Sequence, residues 1–84
     1  MDKQYFQEFV GEILKLEGRK DLEEFLSSIL TPKELDEIPK RLQIIKLLKR
    51  GVSQREITEK LGVGIATVTR GSTALRNKMF KNLR

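Results

Sequence analysis

The sequence predicts an all-α fold, a small helical domain that carries a helix-turn-helix. Three observations predict it. Apolar residues recur in steps of three and four through three successive stretches, the period of one face of a helix. Capping residues stand where stretches begin and glycine where they end. Near the C-terminal end, two short helical stretches flank a Gly-Val corner, which is the helix-turn-helix arrangement.

The elements follow in order. From Asp2 to Leu16, Phe6, Phe9, Val10, Ile13, Leu14 and Leu16 mark a first helix, and Glu17-Gly18 ends it. Asp21 is expected to cap a second, with Leu22, Phe25, Leu26, Ile29 and Leu30 apolar. Thr31-Pro32-Lys33-Glu34 starts a third. Thr is at the N-cap, Pro at the first helical position, and Glu three residues after the Thr, as in a capping box. This helix is expected to run to about Arg50 and stop at Gly51, with Pro39 kinking it or splitting it in two. Its apolar face holds Leu35, Ile38, Leu42, Ile45 and Leu48, with Ile44 and Leu47 as weaker members. The first and third helices are apolar over more than a narrow stripe. On so small a chain, that surplus points to a second copy rather than to a plain monomeric core.

Size and composition exclude whole classes of function. A chain of 84 residues is one domain. We divide it into a helical dimerisation region at 1–50, the helix-turn-helix at 51–76 and a basic C-terminal tail at 77–84. It has no Cys and no His, which removes disulfides, thiol nucleophiles, most zinc sites and the commonest general base. Glu34, Asp36 and Glu37 read as the acidic first turn of a helix, not as catalytic carboxylates. No enzyme is predicted, and no cofactor or metal. No apolar run approaches the roughly 20 residues that cross a bilayer, and the acid-bearing MDKQYFQEFVGEIL is no signal peptide. The expectation is a cytoplasmic protein without a membrane partner. Charge is uneven: residues 1–42 carry seven basic and ten acidic residues, residues 43–84 ten basic and two acidic, and no acid follows Gly62. A basic half joined to an acidic one suits a C-terminal part that binds a polyanion, with nucleic acid favoured over a merely solvated basic surface.

The informative segment is Val52 to Arg70. Ser53 caps a short helix, with Glu56 three residues on as a second capping box. Ile57 and Leu61 share one face, Gly62 ends the helix, and Val63 fills the corner. A second helix starts near Gly64, with Val68 and Leu75 facing inward. Ile65 and Ala66 can meet thymine methyl groups, and Thr67 and Thr69 can bond bases or phosphates. Arg55 and Arg76 can neutralise phosphates. Any αα-hairpin with a Gly turn is the bland alternative. Gly62-Val-Gly64 is no nucleotide loop, because no strand precedes it and no Gly-Lys-Ser/Thr follows.

Leu30-Thr-Pro-Lys-Glu, Arg41, Ser53-Gln-Arg-Glu and Gly64-Ile-Ala-Thr-Val-Thr-Arg-Gly-Ser72 together resemble the bacterial tryptophan repressor family over about residues 30–76. That family is itself a standing example of helix-turn-helix readout and of a water-mediated operator interface. The resemblance implies an intertwined homodimer that binds L-tryptophan as its effector ligand. It then binds double-stranded, palindromic operator DNA and represses genes of tryptophan biosynthesis and uptake. Carried over by position, Thr31, Arg41, Arg70 and Gly71 match the amino-acid pocket. Arg41 and Arg70 would sandwich the indole, and Arg70 would hold the carboxylate. The carbonyls of Ser28 and Leu30 on the second copy would receive the ammonium. Arg55, Ile65, Ala66, Thr67, Thr69 and Arg76 match the operator-facing positions. By their residue types alone, Arg41 and Arg70 read equally as surface or phosphate-binding arginines.

Departures accompany the match. Gly51-Val52 makes a turn one residue shorter than in the best-known members. Ala74 stands at a pocket position that is often Ser. Thr58 replaces a Lys that approaches phosphate, and the family's last helix would lie beyond Arg84. Two other readings therefore stand beside a tryptophan-activated repressor. One is a family-like DNA-binding regulator that ignores tryptophan. The other is the DNA-binding part of a recombinase or transposase, whose Leu-Gly-Val turns look similar but which gives no reason for Thr31-Pro32 or Arg41.

Overall fold

The computed structural model describes residues 1–76 and Phe80; the rest of the expected basic tail at 77–84 lies outside the described residues. Five helices follow one another, and no strand occurs among the described residues: α1 Lys3–Leu14, α2 Gly18–Ile29, α3 Pro32–Lys49, α4 Gln54–Leu61 and α5 Ile65–Ala74. The fold is all-α. The chain divides into two compact units, Met1–Leu35 and Asp36–Arg84, and each is described by itself.

In the first unit, Asp2 opens α1 by accepting from the Gln4 and Tyr5 N–H groups at 2.9 and 3.0 Å, which satisfies two orphan donors of the first turn. Asp21 does not take the cap position expected of it. Glu17 stands there, and Gly18, at φ +81°, opens α2 instead of only closing α1. The early start leaves Asp21 inside the first turn, where its Oδ2 accepts from the Glu17 N–H at 3.4 Å and its charge suits the helix N-terminus. Phe9 of α1 meets Phe25 of α2 with ring centroids 5.9 Å apart and planes at 37°. Neither helix buries a residue fully. Tyr5, Phe6, Val10 and Leu14 on α1 and Leu22 and Ile29 on α2 are exposed, Tyr5 at 72% and Leu14 at 79%.

The capping box ahead of α3 is reciprocal. Glu34 N–H donates to Thr31 Oγ1 at 3.2 Å, and Thr31 N–H donates to Glu34 Oε1 at 2.8 Å. The bond from the Thr31 backbone, and secondarily the Thr31 side chain, hold the Glu34 carboxyl below its ordinary pKa. Pro39 does not split α3, which continues as one helix to Lys49. It does leave the Leu35 carbonyl without its helical donor, and Leu35 is where the first unit ends.

The second unit has its own core: Ile44, Leu47, Ile57 and Val68, with Leu48, Val52, Leu61 and Val63 packed against it. The expected face of α3 is covered only at its C-terminal end, where Ile45 is buried and Leu48 packs on the core. Ile44 and Leu47, the weaker members, are central, whereas Leu35, Ile38 and Leu42 are exposed. Helical period locates a stripe but not which turns of it find a cover. Here α5 seats on the last turns of α3, at Ile44 and Leu48, and leaves the earlier apolar residues open.

Candidate functional site

The helix-turn-helix is assembled by local chemistry. Ser53 Oγ accepts from the Glu56 N–H at 3.2 Å and starts α4. Gly62 ends it in the left-handed region, φ 64° and ψ 36°, with its N–H on the Thr58 carbonyl. That conformation strains any residue with a Cβ. Val63 turns into the core, and Gly64, extended at φ −76° and ψ 156°, begins α5. Ile57 and Val68 are wholly buried and seat both helices against Ile44.

On α5, Ile65, Ala66 and Thr69 are exposed, Ile65 at 55%. Thr69 Oγ1 donates to the Ile65 carbonyl at 3.0 Å, and Thr58 Oγ1 donates to the Gln54 carbonyl at 2.9 Å. With their protons so placed, both hydroxyls face outward as acceptors. Arg55 Nε lies 3.5 Å from Glu59 Oε1, both side chains being largely exposed; so weak a pair yields readily to a phosphate. Arg76 is exposed just beyond α5.

Two cavities flank the α3–α5 contact. The inner one, about 280 Å³, is lined by Arg41 and Ile45 of α3 and by Thr67, Arg70, Gly71 and Ala74 of α5. The outer one, about 310 Å³, is lined by Asp36, Glu37, Lys40 and Arg41, the 62–64 turn, and Thr67. Four residues that the resemblance assigns to an amino-acid pocket, Arg41, Arg70, Gly71 and Ala74, thus share one cavity. Thr67, grouped by sequence with the operator-facing residues, is half-buried and lines both cavities. The inner lining holds two guanidinium groups and no carboxylate. It therefore suits an anion, and an aromatic ring can stack on the guanidinium planes.

Sequence reasoning missed Ile45 as a lining residue because its periodicity reads only as core. It also gave no close-packing role to Gly71. A Cβ at Gly71 would stand 2.5 Å from Ile44 Cγ2, and a lone glycine inside a helical pattern is the signal that could have found it.

Thr31, Ser28 and Leu30 lie in the first unit. Thr31 is occupied by its capping box. Ser28 Oγ donates to the Glu24 carbonyl at 2.8 Å. The Ser28 carbonyl has no helical donor because residue 32 is proline, and the Glu34 N–H that could serve Leu30 goes to Thr31 Oγ1. Both carbonyls can accept a bond from outside the helix.

The family model described as Trp repressor protein matches residues 4–82. The chain belongs to the Trp repressor family. A Trp operon repressor homolog of Vibrio campbellii is 40% identical over 74 residues, 87% of this chain and 74% of the relative. One from Chlamydia trachomatis serovar D is 40% identical over 72 residues, covering 84% and 77%. One from Actinobacillus succinogenes is 48% identical over 61 residues, covering 71% and 58%. No solved structure matches. The chain is thus a regulator of the Trp repressor family, and its relatives carry the names of repressors, which points away from an enzyme. The match takes in the segment ahead of the helix-turn-helix that the recombinase reading left without a role. No helix among the described residues is long and apolar enough to cross a membrane.

Proposed function

We propose that the protein is a transcriptional repressor that binds operator DNA as a homodimer when L-tryptophan fills the inner cavity. The observation that carries this reading is the position of Arg70. It lines the cavity and follows Thr69 directly on the helix that exposes Ile65 and Ala66. A ligand there stands against α3 through Arg41 and Ile45 and against α5 through Arg70, Gly71 and Ala74. It fixes the tilt of α5 and so favours the DNA-binding conformation. A coupling of the usual size for such linkage, about 1–3 kcal/mol, raises DNA affinity roughly 5- to 150-fold.

In this reading Arg41 and Arg70 sandwich the indole, Arg70 holds the carboxylate, and Thr31 completes the pocket. The free carbonyls of Ser28 and Leu30, from the second copy, receive the ammonium. Arg55, Thr58 and Arg76 approach phosphates, while Ile65, Ala66 and Thr69 face bases. The exposed apolar rows of α1, α2 and early α3 support pairing of two chains. The targets are operators of tryptophan biosynthesis or uptake genes, and the protein works in the cytoplasm.

Calorimetric titration of L-tryptophan, with L-phenylalanine as comparison, tests the ligand. The chain has no Trp, so ligand fluorescence gives a second readout without background. Saturable, selective binding that Arg70→Ala abolishes is the expected result. Absence of binding at millimolar ligand would make the protein a tryptophan-independent regulator of the same family. Sedimentation at tens of micromolar tests the dimer, and a monomer there refutes it.

A further inference from the structure

α5 is supported along one row and stands beside open space along the next. Val68 and Gly71 are buried, and Leu75 continues their row half-buried. Thr67, Arg70 and Ala74 form the adjacent row and line the inner cavity. A helix held in this way can rock about its buried row, widening or narrowing the cavity without leaving the core.

The facing row of α3 runs in steps of four through Arg41, Ile45 and Lys49. Arg41 and Ile45 line the inner cavity. Lys49, the last residue of α3, does something else: its Nζ donates to the Phe80 carbonyl at 3.0 Å. Between Ala74 and Phe80 the chain has left α5, which closes where the Arg76 N–H bonds the Thr73 carbonyl at 3.2 Å. Phe80 is half-buried. The Lys49–Phe80 bond therefore joins the chain that leaves α5 to the α3 row that walls the cavity. It closes the C-terminal end of the same cleft, one turn beyond Ile45.

We propose that Lys49 is a positioning residue for the effector site: by holding Phe80 it keeps α5 where Arg70 and Arg41 share one cavity. This rests on the inner cavity being the effector site. Lys49 touches no ligand and acts only on the balance between formed and opened cavities. An effector that binds only the formed cavity shows an affinity scaled by the fraction of chains in that state. Loosening the clasp lowers that fraction, so the effector binds more weakly. Once bound, the effector spans α3 and α5 itself, and the clasp no longer matters. Lys49 thus sets how much effector is needed, and not what the occupied protein does.

The test compares wild type with Lys49→Met, which keeps the stem without the donor, and Lys49→Arg, which keeps a donor. L-Tryptophan is titrated calorimetrically into each without DNA, and amide hydrogen exchange is followed across residues 65–74. Lys49→Met is expected to bind about fivefold more weakly, the worth of one net hydrogen bond, and Lys49→Arg close to wild type. In the free proteins α5 should exchange faster in Lys49→Met; at saturating L-tryptophan it should exchange as in wild type. Unchanged L-tryptophan affinity in Lys49→Met overturns the proposal. So does an exchange difference that persists at saturation, which marks the contact as merely structural. Failure of wild type to bind L-tryptophan overturns instead the effector reading, and exchange in the free proteins then still tests the clasp. Circular dichroism spectra that superimpose across the three proteins exclude misfolding as the cause of a loss.

Discussion

Gly71 and Ile44 leave no room for a side chain between α5 and α3: a methyl group on Gly71 would lie 2.5 Å from Ile44 Cγ2 and 3.4 Å from Leu48 Cδ1. Gly71→Ala therefore sets two effects against each other. Alanine gains about 1 kcal/mol of helix propensity, but overpacking a core contact costs about 1–3 kcal/mol. Ile44 is wholly buried and has nowhere to retreat, so the loss wins. Urea denaturation should show Gly71→Ala about 1 kcal/mol less stable, and a gain in stability would mean that α5 shifts freely on α3.

Gly62 poses the opposite problem. Its added Cβ would meet nothing within 4 Å, but its φ is +64°. Backbone strain alone sets the penalty. Gly62→Ala should cost about 1 kcal/mol and Gly62→Asn less, because asparagine tolerates the left-handed region. Thermal melts of the two variants check the order; equal melting temperatures would show that the turn relaxes out of that conformation.

The capping box ahead of α3 makes part of the stability depend on acid. The Glu34 carboxyl ionises more readily folded than unfolded, because it accepts from the Thr31 N–H. Its contribution is complete above the ordinary carboxylate pKa and is lost as pH falls through the lowered, folded-state value. Thr31→Ala should lose about 1 kcal/mol of cap stabilisation near neutral pH, and Glu34→Gln should flatten the acid limb of the stability curve. Denaturation midpoints followed from pH 7 to pH 3 provide the check. An acid limb in Glu34→Gln as steep as in wild type would place the titrating group elsewhere.

Glu59 holds Arg55 only loosely, at 3.5 Å on an exposed face. Removing the acid should hardly change stability, by less than about 1 kcal/mol, while freeing Arg55 and deleting a negative charge beside bound phosphate. Glu59→Gln should therefore bind non-specific duplex DNA more tightly. The slope of log affinity against log salt should steepen by up to about one unit, the share of one further phosphate contact. Affinities at 50 and 200 mM salt decide it; Arg55→Gln should in turn flatten the slope by about one unit, and a slope that Arg55→Gln leaves unchanged would remove Arg55 from the phosphate contacts.

What was legible in the sequence was what neighbours along the chain determine. Thr31-Pro32-x-Glu34, Ser53-x-x-Glu56 and Leu61-Gly62 each carry their own caps and stops, so α3, α4 and the turn fall where the residues place them. What was not legible depended on which surfaces meet. Leu35, Ile38 and Leu42 obey the helical period as well as Ile44 and Leu47 do, and only the seat of α5 separates the two sets. Asp21 looked like a cap because the left-handed backbone at Gly18 leaves no trace in a pattern of polar and apolar residues. Arg41 and Arg70 line one cavity, and Thr67 on that cavity's wall was hidden by its place within an otherwise outward-looking motif.

Burial is uneven along this chain: every fully buried residue among those described lies from Ile44 onward, and Met1–Leu35 buries none. Resistance to digestion follows burial, because a protease needs several residues of unfolded backbone to engage. A lone chain thus presents two helices that open cheaply ahead of a segment that opens at far greater cost. Cleavage should strip the first 35 residues and leave the later part standing.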